Sequence, residues 1–321
     1  MNNLKKIGLS ALAGSLVAVS ANAADITMSG VANIYMSDDS KSGKTTFSND
    51  DQITFSGTSE LDNGYEVTFS MQLDGDEADN GVIDNNSITV NTNGMGTFTW
   101  AGHGGSSAMS MMDDKTPNAY EEAWDGLGTA AQGVVVINGH DANDMLTYTS
   151  ENYGGAVFTV AFVPGEATGT STSGNESTYT DFGVTITPEQ VEGLTLGAAM
   201  GTTEITAGTE VDESTMYATY AWNGFTVGYQ KSEYDAPTAA ASDDSVAIGI
   251  SYAVNDNLSI SYNEHSVDIG GSTTDQEADG FSVSYTMGGI TLAGHKNEMS
   301  AVNGVAGTDD EGYEVMLSFA F

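Results

Sequence analysis

The chain has 321 residues with 39 glycines, 4 prolines and no cysteine, and its 7 lysines stand against 45 acidic residues with no arginine, for a formal charge of −38. Without cysteine no disulfide can hold the fold, which must rest on packing, backbone pairing or a membrane. So negative a surface repels nucleic acid and anionic lipid, which excludes a nucleic-acid-binding protein or a polybasic membrane anchor, and it attracts cations.

In chain order, Lys5 and Lys6 precede an apolar run of small residues from Ile7 to Val19, followed by Ala21-Asn22-Ala23 before Ala24. This pattern reads residues 1–23 as a cleaved secretory signal peptide. The mature chain would be 24–321, with 5 lysines against 45 acids and a formal charge of −40. No later segment offers the roughly 20 consecutive apolar residues of a membrane-crossing helix. Any crossing must therefore be made by strands.

Period-two alternation runs through the rest of the sequence. Tyr65, Val67, Phe69, Met71 and Leu73 interleave with Glu66, Thr68, Ser70, Gln72 and Asp74. The dyad returns in Val246 to Tyr252, Leu258 to Tyr262 and Phe281 to Met287, and in Tyr313 to Phe321. These segments run for about 9 to 12 residues, longer than a typical soluble strand and suited to a tilted strand in a bilayer. Strands are expected to start near Asp25, Gln52, Gly64, Asn86, Gly96, Asp144, Gly155, Thr178, Gly193, Glu213, Gly224, Asp244, Asn257, Asp279, Gly289 and Glu311, sixteen in all.

Tight Gly- and Asn-rich turns (Leu61 to Tyr65, Asn91 to Gly96, Trp222 to Phe225, Met287 to Ile290) alternate with longer acidic links such as Ser37 to Asp50 and Met299 to Asp310. Short turns at one rim and long loops at the other characterise outer-membrane barrels. Pro117, Pro164, Pro188 and Pro237 all fall in connections, as a residue without a ladder donor should. Tyr65, Phe225, Phe281 and Tyr313 each follow a glycine near a strand end, where aromatic rings sit at membrane interfaces. Val157 to Val163 is apolar on both faces, which fits contact with a neighbouring subunit or packing under an inward loop.

The opening Ala24-Asp25-Ile26-Thr27-Met28-Ser29-Gly30, the sixteen alternating segments and the terminal Leu317-Ser318-Phe319-Ala320-Phe321 together resemble the Gram-negative general diffusion porins, most closely the alphaproteobacterial type. The resemblance implies an all-β fold, a 16-stranded antiparallel transmembrane barrel in the outer membrane. It also implies a homotrimer, passive transport of small hydrophilic solutes and ions, and no enzyme activity. Phe321 would be the assembly signal read by the barrel-assembly machinery. The third long loop would fold into the lumen, and the longest connection, about 102–143, stands where the resemblance requires it.

Within that loop, Thr116-Pro117 reads as N-cap and first helical residue and Gly126 as a stop, predicting a short helix from Pro117 to about Asp125. Tyr120 and Trp124, one turn apart, would anchor it to the wall. Asp113, Asp114, Glu121, Glu122 and Asp125 would form an acidic constriction with Lys115 beside them. A solvated external loop is the competing reading, and acidity of this kind also arises in proteins from high-salt habitats. The family commonly places arginines on the opposite wall; this chain has none, and Lys231 and Lys296 share parity with outward apolar residues. The pore is therefore expected to favour cations.

No cofactor is expected. Asp74-Gly75-Asp76-Glu77-Ala78-Asp79 lacks the ligand order of a calcium loop, so calcium would at most be held loosely between loops and lipopolysaccharide. His103, His140, His265 and His295 have no metal-ligand spacing. The alternatives are a substrate-specific outer-membrane channel or a secreted or surface-layer, calcium-stabilised structural β protein. Charge and pattern name no solute.

Overall fold

The computed structural model describes residues 26–39, 43–74, 83–127, 141–165, 178–206, 209–238 and 241–321. The signal peptide, Lys41, His140 and most of the Asp74–Asp79 run lie outside the described residues. Sixteen strands form a closed antiparallel barrel. They are β1 (Ile26–Asp39), β2 (Thr46–Glu60), β3 (Glu66–Asp74), β4 (Ile83–Asn91), β5 (Thr97–His103), β6 (Met145–Thr149), β7 (Ala156–Val163) and β8 (Thr178–Ile186). The second half comprises β9 (Leu194–Thr206), β10 (Thr209–Trp222), β11 (Phe225–Asp235), β12 (Asp243–Ala253), β13 (Leu258–Ile269), β14 (Gln276–Met287), β15 (Ile290–Ser300) and β16 (Asp310–Ala320).

Each strand pairs with the next, and β16 closes on β1 from Val31↔Ala320 to Asp39↔Gly312. One residue beyond, Gly30 and Phe321 exchange both backbone hydrogen bonds at 3.0 Å. Closure leaves no strand without a partner on each side, so within the paired spans backbone N–H and C=O groups meet a neighbour. In hydrocarbon this is the condition for crossing at all.

Directly paired residues lie on the same side of a sheet. Phe182, Met200, Met216, Val227, Ile248, Phe281, Leu292 and Leu317 are all exposed and define an apolar outer belt. The alternate positions face the lumen and are mostly polar or small, among them Gln230, Ser261, Asn263, Ser282 and Asn297, all buried beneath a loop, with a few apolar residues such as Val267 and Met299 packed there as well. In the segment apolar on both faces, Phe158, Val160 and Phe162 point outward. Ala161 and Val163 point inward into a cluster with Met145 and Tyr179, which the inward loop touches through Ser107.

At the turn rim the expected starts agree with the structure to within a residue or two, because glycine and asparagine fix them. Asn223 (φ 52°) and Gly224 (φ 81°) join Trp222 to Phe225, the two-residue turn with two positive φ angles that suits a twisted hairpin. At the loop rim some strands start earlier than expected. β2 begins at Thr46 rather than Gln52, with Asn49 and Asp50 already paired to Ile34 and Asn33. The polar residues that looked like a loop extend the ladder beyond the bilayer, where water replaces lipid and acidic side chains cost little.

Candidate functional site

Loop L3, the third loop-rim connection, joins β5 to β6. It leaves the wall through a two-residue pairing of Gly105–Ser106 with Asp141–Ala142. It then turns into the lumen and runs along the inner wall from β8 to β16. At its start the Met109 N–H donates to Asp181 Oδ2 at 2.7 Å, and a 3-10 turn forms at Ser110–Met112.

Farther on, three carboxamides on alternate strands grip its backbone. Gln230 on β11 donates to the Met112 and Asp113 carbonyls at 2.6 and 2.9 Å and accepts from the Lys115 N–H at 2.8 Å. Asn263 on β13 donates to the Pro117 carbonyl at 3.1 Å. Asn297 on β15 donates to the Glu122 and Asp125 carbonyls at 2.7 and 2.8 Å. Between them the Ser261 and Ser282 hydroxyls accept from the N–H groups of Ala119 and Tyr120.

Glycines clear the track for this approach. A Cβ on Gly249 would stand 3.0 Å from the Pro117 carbonyl, and one on Gly280 would stand 3.0 Å from the Ala123 Cα. The loop backbone lies where side chains would otherwise be.

The expected helix over Pro117–Asp125 is not formed; the segment is bends and a turn at Ala123–Gly126. The reason lies in the wall. The donors and acceptors that a helix would pair internally are taken by Ser261, Ser282, Asn263 and Asn297, and an extended path reaches more of them. The two aromatic residues nonetheless meet the wall. The Tyr120 hydroxyl donates to Glu314 Oε1 at 2.7 Å, and its ring stacks on His295 at 5.6 Å. Trp124, 8 % exposed, packs on His265 with ring centroids 4.4 Å apart. Gly126 has φ +68°, but with no helix before it to end, this left-handed residue closes the turn at Ala123–Gly126 and is not the helix stop expected.

The structure brings the acidic residues together. Carboxylate oxygens of Glu121, Glu122 and Asp125 lie within 4.8 Å of one another, the one group of this kind among the described residues with spacing that a metal ion could use. Asn118 donates to Glu122 Oε1 at 2.6 Å, and Asp125 Oδ2 accepts from the Glu122 N–H at 3.2 Å. Asp113, Asp114 and Lys115 lie half-buried one step earlier on the path.

Crowding of like charges in a partly dehydrated loop makes ionisation costly. Burial, followed by Asp113 and Asp125, lifts the Asp114 carboxyl to about 7, with Lys115 opposing. Burial, followed by Asp125 and Glu314, lifts Glu121 to about 7. Glu122 is pushed up further by burial and then Asp114. Burial and the hydrogen bond to Glu314 raise the Tyr120 hydroxyl.

Across the lumen, the inner faces of β1 to β4 present Asn33, Asp50, Gln52, Gln72, Asp84 and Asn85, with Asn33 Nδ2 donating to Asp50 Oδ2 at 3.4 Å. No lysine stands there among the described residues. Lys231 lies on the outer face in an ion pair with Glu233. Lys296 lies outside as well, 2.6 Å from Glu298 and 3.4 Å from Glu311. Phe321 sits at the outer turn rim, its ring 6.0 Å from that of Phe319.

Gln230, Asn263, Asn297, Asp181 and Glu314 carry no motif in the sequence, and His265 and His295, which lack metal-ligand spacing, serve instead as ring partners of the loop. Their signal was a large polar or titratable group at lumen-facing parity, but it acquires meaning only once the path of L3 is known.

A family model described as Gram-negative porin matches residues 8–292. No curated protein matches the chain. Among solved structures, an anion-selective porin from Comamonas acidovorans is similar with a TM-score of 0.70 and 15 % identity, covering 93 % of this chain and 100 % of that one. OmpT of Vibrio cholerae lacking loop L8 gives 0.67 and 13 %, with 94 % and 100 % covered. A mutant of Rh. blastica porin gives 0.66 and 17 %, with 92 % and 100 % covered.

Proposed function

Starting from the premise that this chain belongs to the Gram-negative porins, outer-membrane diffusion channels, we propose that it is a general diffusion pore favouring cations and small hydrophilic solutes of positive charge. One observation carries the reading. The acidic stretch of L3 faces a wall of carboxamides and carboxylates, and among the described residues no lysine stands on that wall to make a transverse field, while arginine is absent from the sequence. A fold of the same kind carries anion selectivity in the Comamonas acidovorans porin, so the sign of selectivity must come from side chains rather than from the barrel.

Fixed charges act over the Debye length, about 8 Å at physiological salt and about 3 Å at 1 M. Reversal potentials in planar bilayers under a KCl gradient should therefore favour K⁺, and the preference should shrink toward 1 M. A Cl⁻-favouring potential at low salt would refute the reading. Conductance that saturates with one added sugar or peptide would instead indicate a substrate-specific channel.

A homotrimer is part of the same proposal. Above the turn rim, the outer faces of β5 to β16 present Trp100, Tyr229, Tyr262 and Tyr313, whereas those of β1 to β4 present Met36, Phe47, Asn49, Phe69 and Met71. Tyrosine and tryptophan, with their polar tips, mark a lipid–water interface, so a sector whose outer rings are phenylalanine alone suits burial against a neighbouring subunit. Phe321 as the signal for barrel assembly, and loose calcium between the loops and lipopolysaccharide, belong to this reading as well. Heat-modifiable migration of the detergent-extracted protein, with cysteine cross-links at Met36 and Met71, tests the oligomer.

A further inference from the structure

On the wall opposite L3, one charged group is positioned by several independent contacts. The pairing of β3 with β4 shifts register between Gln72 and Leu73, so Asp84 is an extra residue at a β-bulge. Bulges re-aim side chains, and here the carboxylate joins the lumen-facing amides. Asp84 Oδ2 accepts from Gln72 Nε2 at 3.2 Å and from Asn85 Nδ2 at 2.9 Å. The backbone carbonyl of Asp84 is bonded by His103 Nδ1. Asn85 is in turn confined by Gly104, whose φ is +64° and where any Cβ would overlap the Asn85 amide. The Gly104 N–H donates to Asn143 Oδ1 at 3.4 Å, so all of this stands at the root of L3, where the loop leaves the wall.

Both amides converge on one oxygen, and no donor among the described residues reaches Oδ1. Amide donors fix a carboxylate's orientation more firmly than water does, and Gln72, Asn85 and His103 act here as positioning residues. The carboxylate they hold belongs to β4 and not to the crowded acids of L3, and no ion pair joins it to a lysine among the described residues.

We propose that Asp84 is a specificity-determining residue of the channel. It gives the wall the same sign as the loop, so that a hydrated cation, or a small solute bearing an ammonium or guanidinium group, is drawn from both sides of the passage and an anion is repelled from both. The inference rests on the cation-favouring reading above.

The test uses the full-length protein purified from outer membranes, compared as wild type, Asp84→Asn and Asp84→Glu in planar bilayers under a KCl gradient at about 0.1 M. Heat-modifiable migration confirms that each variant has assembled. Asp84→Asn should lower the cation-to-anion permeability ratio about twofold, the squared Boltzmann weight of one unit charge roughly 8 Å away in water, because the cation gains what the anion loses, screened over about 10 Å at this salt, and Asp84→Glu should retain most of the wild-type ratio. An assembled Asp84→Asn channel with an unchanged ratio would overturn the inference, as would an Asp84→Glu channel that loses as much as the asparagine variant. A wild type that favours anions would refute the general reading, while the shift caused by Asp84→Asn would still report on Asp84.

Discussion

The Tyr120 hydroxyl, on the inward loop, reaches across to β16 and donates to Glu314 Oε1 at 2.7 Å, while its ring lies stacked on His295 of β15. This contact ties the acidic end of L3 to the strand that closes the barrel. A hydrogen bond to a charged acceptor contributes about 1.5 to 3 kcal/mol, and phenylalanine cannot make it. Tyr120→Phe should leave the barrel assembled but produce larger and more frequent current fluctuations in single-channel records. An equally quiet channel would show that the loop is held elsewhere.

The carboxyls of Asp114 and Glu121, both lifted to about 7 by burial and like-charged neighbours, make selectivity depend on pH. Above that value both are ionised; as pH falls through it they take up protons, and negative charge leaves this stretch of L3. Cation preference, read as reversal potential, should therefore decline between pH 8 and pH 6 and be recovered on return. Glu121→Gln should flatten part of that change.

The same raised values set the sign for loop stability. Protons bind the folded loop at a pH where the unfolded carboxyls have already lost them, so docking of L3 gains as pH falls from above 7 toward the ordinary carboxylate range. Loop-dependent current noise should be lower at pH 5.5 than at pH 8. An increase in noise over that interval would contradict the assignment.

Glycine on the lumen wall is a second handle on the loop. A Cβ on Gly280 would stand 3.0 Å from the Ala123 Cα and closer still to the Asn297 amide that grips Glu122 and Asp125. Gly280→Val should push L3 off β14 and β15, an overpacking cost of about 1 to 3 kcal/mol, and alter single-channel conductance.

At the closure, the Phe321 ring covers Gly30: a Cβ on that glycine would meet the ring at 2.5 Å and the Gln52 carbonyl at 2.8 Å. Gly30→Val should lower the temperature at which the folded band converts to the unfolded one on gels. Truncation of Phe321 removes two backbone hydrogen bonds to Gly30 along with the ring and should reduce the yield of assembled barrel further. Equal thermal conversion of wild type and Gly30→Val would mean that the seam tolerates the extra volume.

The sequence by itself determined the barrel. Alternation of period two is a local property: Phe281, Val283 and Tyr285 must share a face whatever else the chain does, and a glycine pair such as Gly288-Gly289 ends a strand without reference to distant residues. The acidity of L3, its position after β5 and the absence of arginine were equally plain. Only the tertiary structure decided the shape of the loop. The residues around Pro117 to Asp125 carry helix signals, yet the wall amides of Gln230, Asn263 and Asn297, remote in sequence, offer the backbone partners that an isolated segment would have to find within itself. The lumen side of Asp84 was hidden for a related reason. A bulge breaks the alternation by one residue, and which side the extra residue takes depends on the strand opposite.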